Sequence, residues 1–508
     1  MNVEPAYPAF SDAYAAGQPQ VVWTRLIDDL ETPVSAYLKI GRGAPYSFLF
    51  ESVEGGAWRG RYSIIALNPD LVWRAFGDRA EIATGDGIAR EDFTTDPLPA
   101  LDSLRALVAA SAIALPDALP PMAAGLFGAI GYDMIRLVEP VGPAKPDALG
   151  LPDAIMTRPS IVAVFDAIAQ EIVLITPVRP DGSSAETAYA AAQARLEAVR
   201  QDLRRSSPTA SEAEPRTEGP FASSTTRADY HRIVEQAKRY IEAGDIFQVV
   251  PSHRFQAPLP GDPFGLYRSL RRTNPSPFLY YLNFGAFQLV GSSPEILVRL
   301  RDGKVTIRPI AGTRPRGATV EDDLRLEREL LADPKEIAEH LMLLDLGRND
   351  VGRTVMLRDE GANTPVSTTP RVRVTERFKV ERYSHVMHIV SNVEGDAPEG
   401  LDPVDVILTA LPAGTLSGAP KVRAMQIIDE LEGVKRGLVY AGAAGYISAN
   451  GSVDTCIILR TALVKDGVMY VQAGGGVVAD SDPDAEYEET LHKSNALRRA
   501  AAEAWRFG

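Results

Sequence analysis

Short runs rich in Val, Ile, Phe and Tyr recur along most of the chain, and they constrain the fold more than any other feature. In the first part they are YSFLFES, RYSIIAL, DLVWRAF, SIVAVFD and EIVLITPV. In the second they are IFQVVPSHRF, FLYYLNF, FQLVGSS, EILVRL and KVTIRPI, followed near the end by VYAGAAGYIS, TCIILRTALV and VMYVQAGGGVV. β-branched and aromatic residues suit a pleated, half-buried surface. Tight links such as Asp302-Gly303 and Asn450-Gly451 suit hairpins, which join neighbours antiparallel. Helical spacing appears between these blocks, at roughly 185–203, 228–243, 321–346, 402–410, 420–432 and 484–505. Antiparallel strands covered by helices give the α+β class.

At 508 residues the chain exceeds one ordinary core, so two parts are expected. The stretch at roughly 204–226 is rich in Ser, Thr, Pro and Glu and poor in large apolar residues, as a linker is. A boundary near 215 divides the chain into 1–215 and 216–508. The helix after the linker has Thr225 or Thr226 as its N-cap and Gly244 as its stop. A net charge of -14 argues against a general nucleic-acid or anionic-membrane binder. The single cysteine, Cys456, permits no internal disulfide and suits a reducing compartment. No signal-like start and no apolar run long enough to span a bilayer are present, so a cytoplasmic protein is expected.

Two Glu-x-x-Glu pairs carry the chemistry. Glu336 and Glu339 lie in DPKEIAEHLMLLDLGRND, and Glu486 and Glu489 in DPDAEYEETLHK. Residues three apart on a helix share a face. Four carboxylates brought together suit a hard divalent cation, above all Mg2+. The bland alternatives are a solvated acidic face for the first pair and an i,i+4 ion pair between Glu489 and Lys493 for the second. The apolar run Leu341-Met342-Leu343-Leu344 implies that the first helix packs deeply. Gly474, Gly475 and Gly476 follow a strand and leave amides free for an anion, or form a plain turn. Thr415 and Ser417, in LPAGTLSGAPKVRAM, either cap the helix that follows or bind an anion there. His388 is either a structural strand residue, on the face opposite His385, or a proton carrier. Arg460 interrupts an apolar strand and needs an anionic partner. From the residues alone, a Mg2+-dependent enzyme handling a small carboxylate is the expectation.

The same segments resemble the chorismate-utilising enzymes, and among them the anthranilate synthase component I branch. The resemblance is carried by GSSPEILVRL (291–300), RPIAGTRPRG (308–317), KEIAEHLMLLDLGRND (335–350), SHVMHIVSNVEG (384–395), PAGTLSGAPKVRAM (412–425), YAGAAGYIS (440–448), DTCIILRTA (454–462) and QAGGGVVADSDPDAEYEE (472–489). FLFESVEGGAWRGRYSIIA (48–66) and LFGAIGYDMIRLVE (126–139) extend it into the first part.

The resemblance implies two large antiparallel sheets packed together with helices around them. It also implies Glu339 and Glu489 as Mg2+ ligands, with Glu486 and Glu336 beside them. Glu336 would protonate the departing C4 hydroxyl of chorismate, and His388 would serve the elimination of pyruvate. Thr415 would contact the substrate, and Tyr440, Arg460 and the amides of Gly474 and Gly476 would hold its enolpyruvyl side chain. Lys493 would hold the charge cluster together. The implied reaction takes chorismate and ammonia to anthranilate and pyruvate, the first step of tryptophan biosynthesis. A separate glutamine amidotransferase subunit would deliver the ammonia in a hetero-oligomer. Folate-branch aminodeoxychorismate synthases carry a lysine where this chain has Ala311, which favours the anthranilate reaction; that synthase and a non-catalytic sensor of the same fold are the alternatives. Glu51, Ser52, Arg61, Pro277, Phe278, Leu279 and Tyr446 would bind tryptophan as a distant feedback inhibitor.

Overall fold

Alternation of apolar residues along the strands sets the architecture, because successive side chains point to opposite faces. In the computed structural model, residues 2–52, 60–207, 221–259, 261–356, 372–383 and 386–507 are described. The boundary near 215, most of the linker and His385 lie outside them. The strand Ala154–Asp166 is the junction of two sheets. On one side it pairs with Tyr62–Phe76, and that sheet continues through Ser47–Glu51, Phe278–Asn283, Phe287–Ser293, Thr461–Lys465, Val468–Gly474 and Ser252–Pro258. On the other it pairs with Gly125–Ile130, and the second sheet runs through Ala443–Ser448, Val453–Ile457, Ile296–Arg301, Lys304–Ile307 and Val386–Asp396. Every one of these pairings is antiparallel. Strands from both sides of the 215 boundary therefore share the same ladders.

Three cores follow from the alternation. Phe48, Tyr280, Leu289 and Leu463 of the first sheet meet Phe127, Ala444, Tyr446 and Cys456 of the second in a central core. The outer face of the first sheet, with Val290, Ala462 and Val464, packs against Leu196, Phe264, Tyr267 and Leu497 from covering helices. The outer face of the second, with Leu297, Val453 and Ile457, packs against Leu344, Val351 and Ile407. Each fully buried Leu or Phe contributes about 1.5–3 kcal/mol. The expected α+β arrangement is present, two antiparallel sheets face to face with helices outside.

Local expectations change: RYSIIAL and DLVWRAF, read as two strands, form the one strand Tyr62–Phe76. The helix expected over 321–346 is two helices, Val320–Ala332 and Pro334–Met356. Pro334 has no N–H to continue the first, and the Asp333 carboxylate accepts from the amides of Lys335 and Glu336 to start the second. The second helix is also less deeply packed than its apolar run implies: Leu343 and Leu344 are buried, but Leu341 is 46% exposed. The helix Arg227–Glu242 is capped by Thr226, as one of the two expected residues. No helix among the described residues is long and apolar enough to cross a membrane.

Candidate active site

A cavity of about 500 Å³ opens where the helices Pro334–Met356 and Pro483–Glu503 approach the ends of both sheets. Glu336, Glu339, Glu489 and Lys493 line one wall. Ala311, His388, Thr415, Tyr440, Arg460 and Gly474 line the rest. Glu486 and Gly476 are not among the lining residues. Glu486 lies behind the wall, so close to Gly475 that a Cβ there would fall 2.6 Å from its Oε2.

The acidic wall is electrostatically one unit. Burial, then the charges of Glu336 and Glu489, raise the Glu339 carboxyl above its ordinary value. Glu339 nevertheless reaches water through the cavity mouth, and its surface is exposed there. Glu486 is also raised, by burial and by the charge of Glu489, against a hydrogen bond from Ser481. Its Oε1 accepts from the Ser481 hydroxyl at 2.7 Å, while Oε2 is buried without a partner among the described residues. Glu336 accepts from Arg314 at 2.9 Å, and Glu489 pairs with Lys493 at 2.6 Å. Lys493 also donates to the Gly474 carbonyl at 3.0 Å, which ties the acidic helix to the glycine turn. No ready-made cage of three His, Cys, Asp or Glu side chains exists among the described residues. The carboxylates of the wall offer oxygen donors only, two of them paired with protein cations, and behind them Glu486 Oε2 has no hydrogen-bond partner among the described residues. An oxygen-only set of this kind fits a hard divalent cation such as Mg2+.

Opposite the acids, the helix-capping reading of Thr415 gives way. The following helix, Lys421–Leu431, starts at Pro420 with no side-chain cap, and Thr415 sits in the separate turn Gly414–Leu416. Its hydroxyl donates to Glu295 Oε2 at 3.2 Å. Glu295 is the main site residue that the sequence reading missed. It lines the cavity and is 8% exposed. Burial pushes its carboxyl up to about 8, against the Thr415 hydrogen bond and the charge of Arg460. A carboxyl raised in this way holds its proton to a higher pH than an ordinary glutamate and can serve as a proton donor. Gln248 also lines the cavity, with its Oε1 buried and unpartnered among the described residues.

His388 sits in the strand Val386–Asp396, and its Nδ1 lies 3.2 Å from the Gly312 carbonyl and 3.0 Å from Thr313 Oγ1. A carbonyl only accepts, so Nδ1 carries the hydrogen and Nε2 keeps its lone pair. Burial, then the charge of Arg460, pulls the imidazole down to about 4, so it is neutral and basic at Nε2. Arg460 lies between the strands Val453–Ile457 and Thr461–Lys465 rather than inside one, in the left-handed region at φ 48. No described residue hydrogen-bonds or ion-pairs its guanidinium, which leaves it for an anion in the cavity.

A second cavity, of about 620 Å³, lies between the sheets. Glu51, Ser52, Arg61, Pro277, Phe278, Leu279 and Tyr446 all line it. Glu51 is held by Arg271 at 2.8 and 2.9 Å and by the Tyr267 hydroxyl, and Arg61 pairs with Asp166 at 2.7 Å. Arg299, Arg301 and Asp454 join the lining as a third charged group.

A family model described as chorismate binding enzyme matches residues 47–499. A protein of Cereibacter sphaeroides named anthranilate synthase component 1 is 54% identical over 99% of this chain and 98% of its own length. One of the same name from Pseudomonas aeruginosa is 50% identical over 93% of this chain and 94% of its own. The crystal structure of anthranilate synthase component I from Streptococcus pneumoniae superposes with a TM-score of 0.74 at 36% identity, covering 93% of this chain and 98% of that one. The menaquinone-specific isochorismate synthase of Escherichia coli shares the fold, with a TM-score of 0.69 at 18% identity.

Proposed function

Since this chain belongs to the chorismate-binding enzymes, we propose that it is the synthase subunit that converts chorismate and ammonia to anthranilate and pyruvate. Ala311 in the cavity wall is the observation that carries the choice of reaction. A methyl group cannot attack C2 of chorismate, so the nucleophile is ammonia itself. The folate-branch reading needs an amine at this position and loses support for the same reason.

Ammonia adds at C2, the double bonds shift, and the C4 hydroxyl leaves as water once protonated. Glu295 is the better donor for that proton, because it is buried and protonated while Glu336 is committed to Arg314 as an acceptor. Thr415 orients the Glu295 carboxyl. Arg460 and Tyr440 bind the enolpyruvyl side chain, and the Gly474 turn, fixed by Lys493, closes that side. In the second stage the C2 proton is removed and the C3–O ether bond breaks, which makes the ring aromatic, and the departing enolpyruvate takes up a proton to become pyruvate. His388 Nε2 is the base for that step.

Glu339 and Glu489 would hold Mg2+, with Glu486 and Glu336 supporting them. The ion would neutralise the ring carboxylate and draw off charge as the hydroxyl departs. A glutamine amidotransferase subunit supplies the ammonia, in keeping with relatives named as a component 1. Tryptophan occupies the second cavity as feedback inhibitor. The test is product identity by mass spectrometry after incubation with chorismate, Mg2+ and ammonium. Anthranilate with pyruvate supports the assignment; aminodeoxychorismate overturns it.

A further inference from the structure

Three neighbouring strands bring Tyr280, Gly291 and Thr461 into one row. Tyr280 pairs with Gly291 in register, and Gly291 pairs with Thr461. The middle position has no side chain, and the Tyr280 ring uses that space: a Cβ on Gly291 would fall 2.1 Å from Tyr280 Cζ and 2.5 Å from its hydroxyl oxygen. The ring therefore crosses the middle strand and brings its hydroxyl within 2.6 Å of Thr461 Oγ1. The Thr461 hydroxyl already donates to the Leu459 carbonyl at 2.9 Å, so the Tyr280 O–H is the donor between them.

Leu459 and Arg460 line the first cavity, whereas Tyr280 lines the second. Arg460 takes a left-handed backbone, φ 48, which a non-glycine residue adopts only when its surroundings hold it there. Two hydrogen bonds bracket that turn. Thr461 holds the carbonyl before Arg460, and the Ser292 amide donates to the Arg460 carbonyl at 3.2 Å. Both lead to the wall of the second cavity, since Thr461 is tied to Tyr280 and Ser292 is the register partner of Leu279.

We propose that Tyr280 and Thr461 are positioning residues for Arg460: the Tyr280 hydroxyl, reaching through the slot that Gly291 leaves, locks the Thr461 bracket and so aims the Arg460 guanidinium at the anionic side chain of the substrate. The wall of the second cavity thus doubles as the mount of a substrate-binding residue in the first. The role of Arg460 in this statement rests on the function proposed above.

Steady-state kinetics of Tyr280→Phe, Thr461→Val, Gly291→Ala and Thr461→Ser, with ammonium as nitrogen donor, test the proposal. Breaking the Tyr280–Thr461–Leu459 chain, by removing a hydroxyl or by pushing the ring out of its slot, should raise the KM for chorismate about 3- to 10-fold in the first three variants. The KM for ammonium should stay within about twofold, because the bracket touches only the chorismate side chain. Tyr280→Phe combined with Thr461→Val should do no more than Thr461→Val alone, and Thr461→Ser should behave as wild type. An unchanged chorismate KM, a parallel rise in both KM values, or additive effects would overturn the proposal. A crystal structure of Tyr280→Phe gives an answer that does not depend on the reaction. The Leu459–Arg460 peptide should leave its left-handed geometry, and an unmoved peptide would overturn the proposal. Wild-type enzyme that makes no anthranilate would instead refute the proposed function, and the crystal structure would still decide the positioning role.

Discussion

Glu339 and Glu489 arrive on different helices and face one cavity, where burial and then the charges of Glu336 and Glu489 raise the Glu339 carboxyl. Carboxylates so placed repel one another unless a cation lies among them. Lys493 and Arg314 offset part of that repulsion through Glu489 and Glu336. The rest is the electrostatic basis for proposing a divalent cation at this wall.

Glu486 is the sharpest probe of that assignment. Its Oε2 is buried and unsatisfied among the described residues, and it stands behind the residues that line the cavity. Glu486→Gln should keep the fold and raise the Mg2+ concentration needed for half-maximal rate about 10–100-fold, as supporting residues of metal sites do. Isothermal titration with Mg2+ alone should show the same shift. An unchanged Mg2+ requirement would remove Glu486 from the site.

The pH profile should be set by Glu295 and His388. Glu295 acts protonated and titrates at about 8, so kcat/KM should fall as pH rises through that value. His388 acts neutral and titrates at about 4, so the rate should fall as pH drops through that value. Glu295→Gln should lower kcat about 10²–10⁴-fold and abolish the alkaline limb. A variant that keeps the limb would assign the proton to another group.

The pair Arg436–Glu432 is a stability device rather than a catalytic one. Both side chains are 1% exposed, and Arg436 also donates to the carbonyls of Leu416 at 2.8 Å and Val250 at 2.7 Å. Arg436→Met strands a buried carboxylate and should cost about 3–5 kcal/mol in chemical denaturation. Adding Glu432→Met should recover part of the loss.

Tryptophan should raise the melting temperature by binding the second cavity, by an amount that grows with its concentration. Ser52→Ala, at the cavity wall, should weaken both this shift and the inhibition while leaving the uninhibited rate near wild type. Inhibition that persists unchanged in Ser52→Ala would place the effector elsewhere.

Many strands and the helices from Ala185 onward, save Pro263–Thr273, could be read from sequence because their cues are local: period-two apolar runs, Asn-Gly and Asp-Gly links, Thr226 as a cap. The break at Asp333-Pro334 carried its own cue in the proline, which the long helical pattern masked. Glu295 could not be read. In GSSPEILVRL it is a single acid at the mouth of a strand, and its hydrogen-bond partner in the cavity, Thr415, lies 120 residues further along. The Tyr280–Gly291–Thr461 row was hidden for a related reason, since only strand register puts three such distant residues side by side. Arg460 was expected inside a strand, but the apolar run that suggested this is two strands with a left-handed residue between them. The acid pairs were visible because spacing of three on a helix is a local property, whereas the cations that hold Glu336 and Glu489 are part local, Lys493, and part distant, Arg314.

Anthranilate fluorescence from wild-type enzyme given chorismate, Mg2+ and ammonium, followed with and without Glu339→Gln, tests the central claim most directly. The account predicts fluorescence that grows in step with pyruvate, stops when the Mg2+ is chelated and is lost in Glu339→Gln. Chorismate consumed without fluorescence, or fluorescence that survives both chelation and the substitution, would contradict it.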